Sequence, residues 1–326
     1  MISVINSIRP KLSRNVPILA YHRVLDVPDE NAYPFDIELV SASVEQFTRQ
    51  MAVLRKSYHP ITFETLLKHL DAGEPPPRGS IIVTFDDGFV DNYRIAFPVL
   101  RKLGIPATIF LSTGYIDSQD LFWYEKIAHQ VMTTGAKTLR FAGSTPFDIP
   151  QDRGRRRAII ADVLQWMKDV PNQVRLDTLA DLERQLAPLA DWREDSRSGP
   201  LTWDQIREMS AGGMEFGSHS VTHPILSKVD PSQLGFELGA SKQRIESELQ
   251  KPVQVIAYPV GGEEAFDENV RTAVALAGYR LAATYISGVQ SPDSWDRYAL
   301  HRLHVERNVD QIAFDATIAL PEIFAL

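Results

Sequence analysis

Two pairs of residues in this chain have the types and spacing for metal-assisted chemistry. The first is Asp86-Asp87, which ends the apolar, β-branched run Ser80-Ile81-Ile82-Val83-Thr84-Phe85 and is followed at once by Gly88. Such a run reads as a short buried strand, and an α/β protein keeps its chemistry at the carboxyl ends of its strands. Adjacent carboxylates repel, so the pair is unfavourable unless a cation or a shared proton lies between them. Taken alone, an Asp before a turn is equally a helix N-cap. The second pair is His219 and His223, in Gly217-Ser218-His219-Ser220-Val221-Thr222-His223-Pro224. Histidines four apart share one face of a helix, but Gly217 and Pro224 favour a strand end running into a turn. Two of the chain's 8 histidines stand in this window. With one carboxylate they make a three-ligand divalent site with positions left open, the arrangement of catalytic rather than structural zinc.

These residues also carry a family resemblance. Thr84-Phe85-Asp86-Asp87-Gly88 resembles the first motif of the polysaccharide deacetylases, the nodulation-protein-B (NodB) homology domain of carbohydrate esterase family 4. His219-Ser220-Val221-Thr222-His223 is similar to the second motif, H-S/T-x-x-H, and Tyr258-Pro259-Val260-Gly261 resembles a Y-P-x-G variant of the third. Ile18-Leu19-Ala20-Tyr21-His22-Arg23-Val24 resembles the YHxV-type opening of one subgroup. The resemblance spans roughly residues 15 to 310 apart from an unmatched middle. It implies an irregular (β/α) barrel of seven or eight strands. It further implies a divalent ion on Asp87, His219 and His223, zinc first, with cobalt, nickel or manganese as alternatives. Asp86 then serves as general base, and the backbone N–H of Val260 as an oxyanion donor.

The chain departs from that pattern in two places. The family's third motif begins with an arginine that contacts the base, whereas position 257 is Ala; Arg302 is the candidate replacement. The late L-x-H-D-like motif that supplies the general acid is not recognisable, and His301-Arg302-Leu303-His304 fits it poorly. His22, at the end of the first predicted strand, is the first candidate acid and His301 the second. The implied activity is removal of an N-acyl group, acetyl first, from an amino sugar of a glycan or glycan precursor. The same motifs fit O-deacetylation, deformylation or cyclic-amide hydrolysis. A degenerate barrel that binds a glycan without cleaving it is the reading from another class.

The elements that must position these residues follow a βα rhythm. Strands are predicted at Val16 to Tyr21, Ser80 to Phe85, Pro106 to Leu111, Met214 to Ser218, Val253 to Tyr258, Leu281 to Tyr285 and Leu300 to Val305, separated by helical patterns. Thr202 with Gln205 is a capping-box pattern, Asp91 a candidate helix cap, Pro98 a predicted kink and Gly104 a helix stop. From about 115 to 200 the rhythm gives way to amphipathic helices, read as an insertion within a single 1–326 barrel domain. Its aromatics Trp123, Tyr124, Trp166 and Trp192 could stack on sugar rings, although helical spacing favours core. An open doubly wound sheet shares the βα rhythm, and either architecture gathers the motifs at strand carboxyl ends.

Composition narrows the classes. Hydrophobic residues make up 44% and charged residues 23%, enough for a sizeable core. A net charge of −8 and a pI near 5.5 argue against a nucleic-acid partner. The one basic cluster, Arg153, Arg155, Arg156 and Arg157, reads as a solvated helix face. The absence of cysteine excludes disulfides, thiolate metal sites and a thiol nucleophile. Ile2, Val4, Ile5 and Ile8 form no continuous apolar core of a signal peptide, and no transmembrane segment is read. The expectation is a cytoplasmic protein that could attach peripherally to a membrane through this first stretch. The oligomeric state is not legible.

Overall fold

In the computed structural model, residues 14–118, 120–188, 190–195, 197–290 and 295–324 are described. Seven parallel strands form a closed ring: β1 (Ile18–Tyr21), β2 (Ser80–Phe85), β3 (Thr108–Leu111), β4 (Glu215–Ser218), β5 (Val255–Ala257), β6 (Leu281–Ser287) and β7 (Leu300–His304). The order is β1-β7-β6-β5-β4-β3-β2, and β2 returns to β1. That last ladder pairs Ile18 with Ile82 and Tyr21 with Phe85, which closes the sheet and rules out the open doubly wound alternative. The same register brings the residue after each strand side by side: His22 beside Asp86. A two-residue strand, His59–Pro60, adds to the start of β2 at Ser80 and Ile81.

Strands β1, β2, β3 and β5 are buried on both faces, which explains why these runs are largely apolar rather than alternating. Ile18, Ile82, Phe110, Val255, Leu281 and Leu300 fill the interior together with Phe63, Leu66 and Leu67 of the helix Phe63–Ala72. The alternate residues, among them Leu19, Val83, Ile109, Ile256 and Leu303, pack outward on the surrounding helices.

Local signals explain most helix ends. The Thr202 and Gln205 capping box is formed in both directions at the helix Trp203–Ala211, and Gly104 ends Phe97–Leu103 in the left-handed conformation. Asp91, however, makes no cap bond. Pro98 lies inside a continuous helical run over 90–103. It falls in the first turn of Phe97–Leu103, directly after a π-helical turn at Asn92–Ala96. A proline nitrogen has no hydrogen to donate, and the wider turn before it absorbs the missing bond.

Residues 27–39 and 119–199 make a second compact unit. Its helices are Trp123–Thr133, Arg153–Asp169 and Asn172–Gln185. Trp123 and Tyr124 are only 2% and 7% exposed, so they are core and not sugar platforms. The solvated arginine face holds for Arg155, which is exposed, but not for Arg156 and Arg157. Arg156 is buried and donates to the carbonyls of Val131 and Pro150, while Arg157 donates to those of Phe35 and Tyr33. Carbonyls at a helix C-terminus lack intrahelical partners, and a guanidinium supplies them. Among the described residues no helix is long and apolar enough to cross a membrane. The residues expected to attach to one, Ile2, Val4, Ile5 and Ile8, lie outside the described residues.

The interior is tight just below the histidines. A Cβ on Gly217 would lie 2.6 Å from the Phe110 ring and 3.0 Å from the Val255 carbonyl, whereas one on Gly239, in the helix Pro231–Leu249, would meet nothing within 4 Å. Gly217→Ala is therefore expected to destabilise by about 1–3 kcal/mol, and Gly239→Ala to stabilise by about 0.5–1 kcal/mol. Urea unfolding of the two variants checks this; equal shifts would refute the steric argument.

Candidate active site

The two carboxylates at the end of β2 point to different partners because the backbone turns sharply between them. Asp87 has φ 74°, and the Gly88 N–H donates to the Asp86 carbonyl at 2.9 Å. This is the rare γ-turn with positive φ, a strained form for any residue with a Cβ. A second turn of the same kind centres on Val260, with φ 65° and Gly261 N–H donating to Pro259 at 2.7 Å. For a β-branched residue this is a marked outlier. Ser220 and His223 are left-handed as well, at φ 67° and 54°.

Asp87 faces the histidines. Its Oδ1 lies 3.3 Å from His223 Nε2 and 3.5 Å from His219 Nε2, and the three candidate ligand atoms all lie within 4.8 Å of one another. All three residues are buried. The His219 Nδ1 stands 2.8 Å from the Ala257 carbonyl, which can only accept, so Nδ1 carries the hydrogen and Nε2 presents a lone pair. Burial, before any charge, pulls the His219 imidazole down to about 4, so it is neutral near pH 7. A buried carboxylate oxygen without a hydrogen-bond partner thus confronts a ring nitrogen that has no proton to give. That donor set of one oxygen and two imidazole nitrogens fits a divalent cation with open positions.

Asp86 is held otherwise. Both its oxygens accept from Arg302, Nη1 to Oδ1 at 2.7 Å and Nη2 to Oδ2 at 2.7 Å, with both side chains almost fully buried. Arg302 also donates to the Thr284 carbonyl at 2.6 Å and to Thr84 Oγ1 at 3.2 Å. Burial works to raise the Asp86 carboxyl, but the charge and hydrogen bonds of the Arg302 guanidinium outweigh it and hold it well below the usual carboxylate range. Arg302 therefore sits where the sequence reading needs a cation.

The other expected residues are placed as follows. His22 Nε2 is 4.0 Å from Asp86 Oδ2, and its side chain is 16% exposed. His22 is fixed from behind: Asn92 donates to its carbonyl at 2.9 Å, and its own N–H donates to Ser41 Oγ. Asp91, instead of capping a helix, accepts from Arg23 Nε and Val24 N at 2.9 Å each and so pins the next two residues. His301 is not brought to the site. Strand alternation turns it to the face opposite Arg302, toward Gly288. The close approach expected at Gly261 is made to protein. A Cβ there would lie 2.6 Å from the Tyr285 nitrogen, which donates to the Gly261 carbonyl.

Three side chains that the sequence reading passed over stand here. His304 shares the Arg302 face of β7 and stacks on Tyr285 at 3.7 Å between centroids. Burial and then the neighbouring Arg302 lower His304 to about 4. Tyr285 also meets His22 edge-on at 5.4 Å and lies 5.6 Å from the Arg302 guanidinium. Glu237 grips the loop between His219 and His223. Strand alternation marks His304 once Arg302 is placed; nothing local marks Glu237.

Comparison with known proteins agrees with this geometry. Residues 73–282 match the family described as polysaccharide deacetylase. The chain is 23% identical to YxkH of Bacillus subtilis (strain 168) over 317 residues, 95% of this chain and 78% of that protein. It is 31% identical to a poly-beta-1,6-N-acetyl-D-glucosamine N-deacetylase of Staphylococcus aureus over 129 residues, 37% of this chain but only 43% of that one. Among solved structures, the Streptococcus pyogenes deacetylase PplD in complex with acetate superposes with a TM-score of 0.59 at 21% identity, covering 91% of this chain and 94% of that one. At that identity the likeness speaks for the fold, the (β/α) barrel. A match over most of the barrel's length, including both acidic and histidine motifs, shows that the chain belongs to the polysaccharide deacetylase family, hydrolases of the non-peptide carbon–nitrogen amide bond.

Proposed function

We propose that the chain is a metal-dependent hydrolase that removes an N-acyl group, acetyl first, from an amino sugar of a glycan or glycan precursor, working as one barrel domain with the 119–199 unit inserted. The observation that carries this reading is the convergence of Asp87 Oδ1 with two imidazole Nε2 atoms, beside a second carboxylate kept ionised by Arg302.

Asp87, His219 and His223 hold the ion, zinc before cobalt, nickel or manganese. When bound, a divalent ion supplies Lewis acidity toward the acyl oxygen and acidifies water, which a carboxylate as weakly basic as Asp86 needs. Asp86 takes the proton of the attacking water as general base, its orientation fixed by the two-pronged grip of Arg302. The backbone N–H of Val260, in its strained turn, serves as donor to the developing oxyanion. His22, on the same rim as Asp86, gives a proton to the departing amine. Water adds to the acyl carbon, the C–N bond breaks, and acetate and the free amino sugar leave.

Two expected outcomes test this. Metal analysis after reconstitution should find near one divalent ion per chain, lost in folded Asp87→Ala and His219→Ala; no uptake of zinc, cobalt, nickel or manganese by the wild type would sink the mechanism. Acetate release should be seen from N-acetylated rather than O-acetylated oligosaccharides, and Asp86→Asn should lower it by about 10²–10⁴-fold while metal content is kept. Release from O-acetylated sugars alone would reassign the bond attacked.

Arg302→Lys keeps the charge but loses the planar fork. It should reduce turnover more than it reduces metal content, and Arg302→Ala, which strands the buried Asp86 charge, should destabilise by about 3–5 kcal/mol. Thermal unfolding and acetate release on both variants check the pair; full activity in Arg302→Lys would remove the bidentate grip from the mechanism.

A further inference from the structure

The loop that carries the second histidine cannot hold its own shape. Ser220 and His223 are both left-handed, and between them Val221 and Thr222 turn their N–H groups away from the barrel. On one side the loop is gripped by the turn after β3: Thr113 N–H donates to Ser220 and Gly114 N–H to Val221. Gly114 permits this, since a Cβ there would lie 2.8 Å from the Val221 carbonyl. On the other side stands Glu237, in the helix Pro231–Leu249 and 1% exposed. Its Oε2 accepts from Val221 N at 2.7 Å and from Thr222 N at 2.9 Å, and its Oε1 accepts from Thr222 Oγ1 at 2.6 Å. One helical turn on, Ser241 Oγ meets Ser218 Oγ at 2.7 Å, so a single face of this helix holds the strand before His219 and the loop after it.

A carboxylate this deeply buried is unfavourable unless donors surround it, and among the described residues its three donors, Val221 N–H, Thr222 N–H and Thr222 Oγ1, all come from the loop. The dependence therefore runs both ways: the loop's strained backbone is stabilised by an anion that only this loop conformation satisfies. We propose that Glu237 is a positioning residue for the metal site: by anchoring Val221 and Thr222 it holds His223 against Asp87 and so sets how tightly a divalent ion is bound. This rests on the metal-site reading above, and the test separates the two.

The full chain is stripped with chelator, and zinc affinity is measured by competition with a chromophoric chelator, alongside the visible absorption of the cobalt-substituted protein. Glu237→Gln should weaken zinc binding by about 10–100-fold and alter the cobalt spectrum, the scale on which groups behind metal ligands act. Ile245→Val, a buried change in the same helix, should lower stability and leave both readings untouched. Should Glu237→Gln not fold, Thr222→Val removes one of the three bonds and should weaken zinc by about 2–10-fold, one hydrogen bond's worth. Wild-type zinc affinity and cobalt spectrum in the folded Glu237 or Thr222 variant overturn the proposal while leaving the metal site standing. A wild type that binds no ion overturns both.

Discussion

Two neighbouring carboxylates, 2% and 1% exposed, cannot both stay ionised in a protein interior unless each finds its own positive partner. Taking one such anion out of water costs several kcal/mol, and a second beside it adds repulsion. The barrel answers by splitting the pair. Asp86 continues the line of β2 into the interior and meets Arg302; Asp87, after a γ-turn, leaves that line and meets two imidazoles. Every other feature of the site follows from keeping these two environments apart. One is a closed ion pair with its charges already matched. The other is an assembly of one carboxylate oxygen and two imidazole nitrogens whose chemistry suits a divalent cation.

The separation is built from strained backbone. Four of the seven non-glycine residues with positive φ among those described are Asp87, Ser220, His223 and Val260, all in the three motifs of this site. Each costs on the order of 1–3 kcal/mol and persists only where its surroundings over-determine it. Those surroundings are identifiable. Gly261 docks on the Tyr285 backbone, Gly114 on the Val221 carbonyl, and Glu237 fastens the histidine loop from outside the barrel. The parallel ring makes this affordable, because its strands are locked by ladders on both sides and have no free edge to relax.

What could be read from the chain alone follows the same physics. The motifs were legible because each is local: a strand-end dipeptide, two histidines in five residues, a Y-P-x-G turn. The barrel was legible because strands buried on both faces, such as β1, β2 and β5, announce themselves as apolar runs, and the βα rhythm supplies the rest. Assignments that need one-residue precision were not. In β7 a shift of one residue exchanges the faces, which is why His301 was preferred although His304 shares the face of Arg302. Asp91 looked like a cap because Asp commonly is one, and only the fold reveals Arg23 and Val24 waiting for its carboxylate. Glu237 had no signal at all, standing in one helix with Glu246 and Glu248 and distinguished from them only by what its face meets.

Arg302 reaches from β7 to a carboxylate at the end of β2. Ala257, where the family resemblance leads one to expect an arginine, lies at the end of β5 and faces the interior with Phe110 and Ala283. The β7 guanidinium lies 5.7 Å from the Phe110 ring and 5.6 Å from the Tyr285 ring. A planar cation suits such a slot, since its faces lie against aromatic rings while its edge delivers two parallel hydrogen bonds. Residues on different strands at one layer of a closed barrel converge on the same volume, so the charge beside Asp86 is specified by position in the interior and not by position in the sequence. A motif can then lack its arginine while the carboxylate still has its partner.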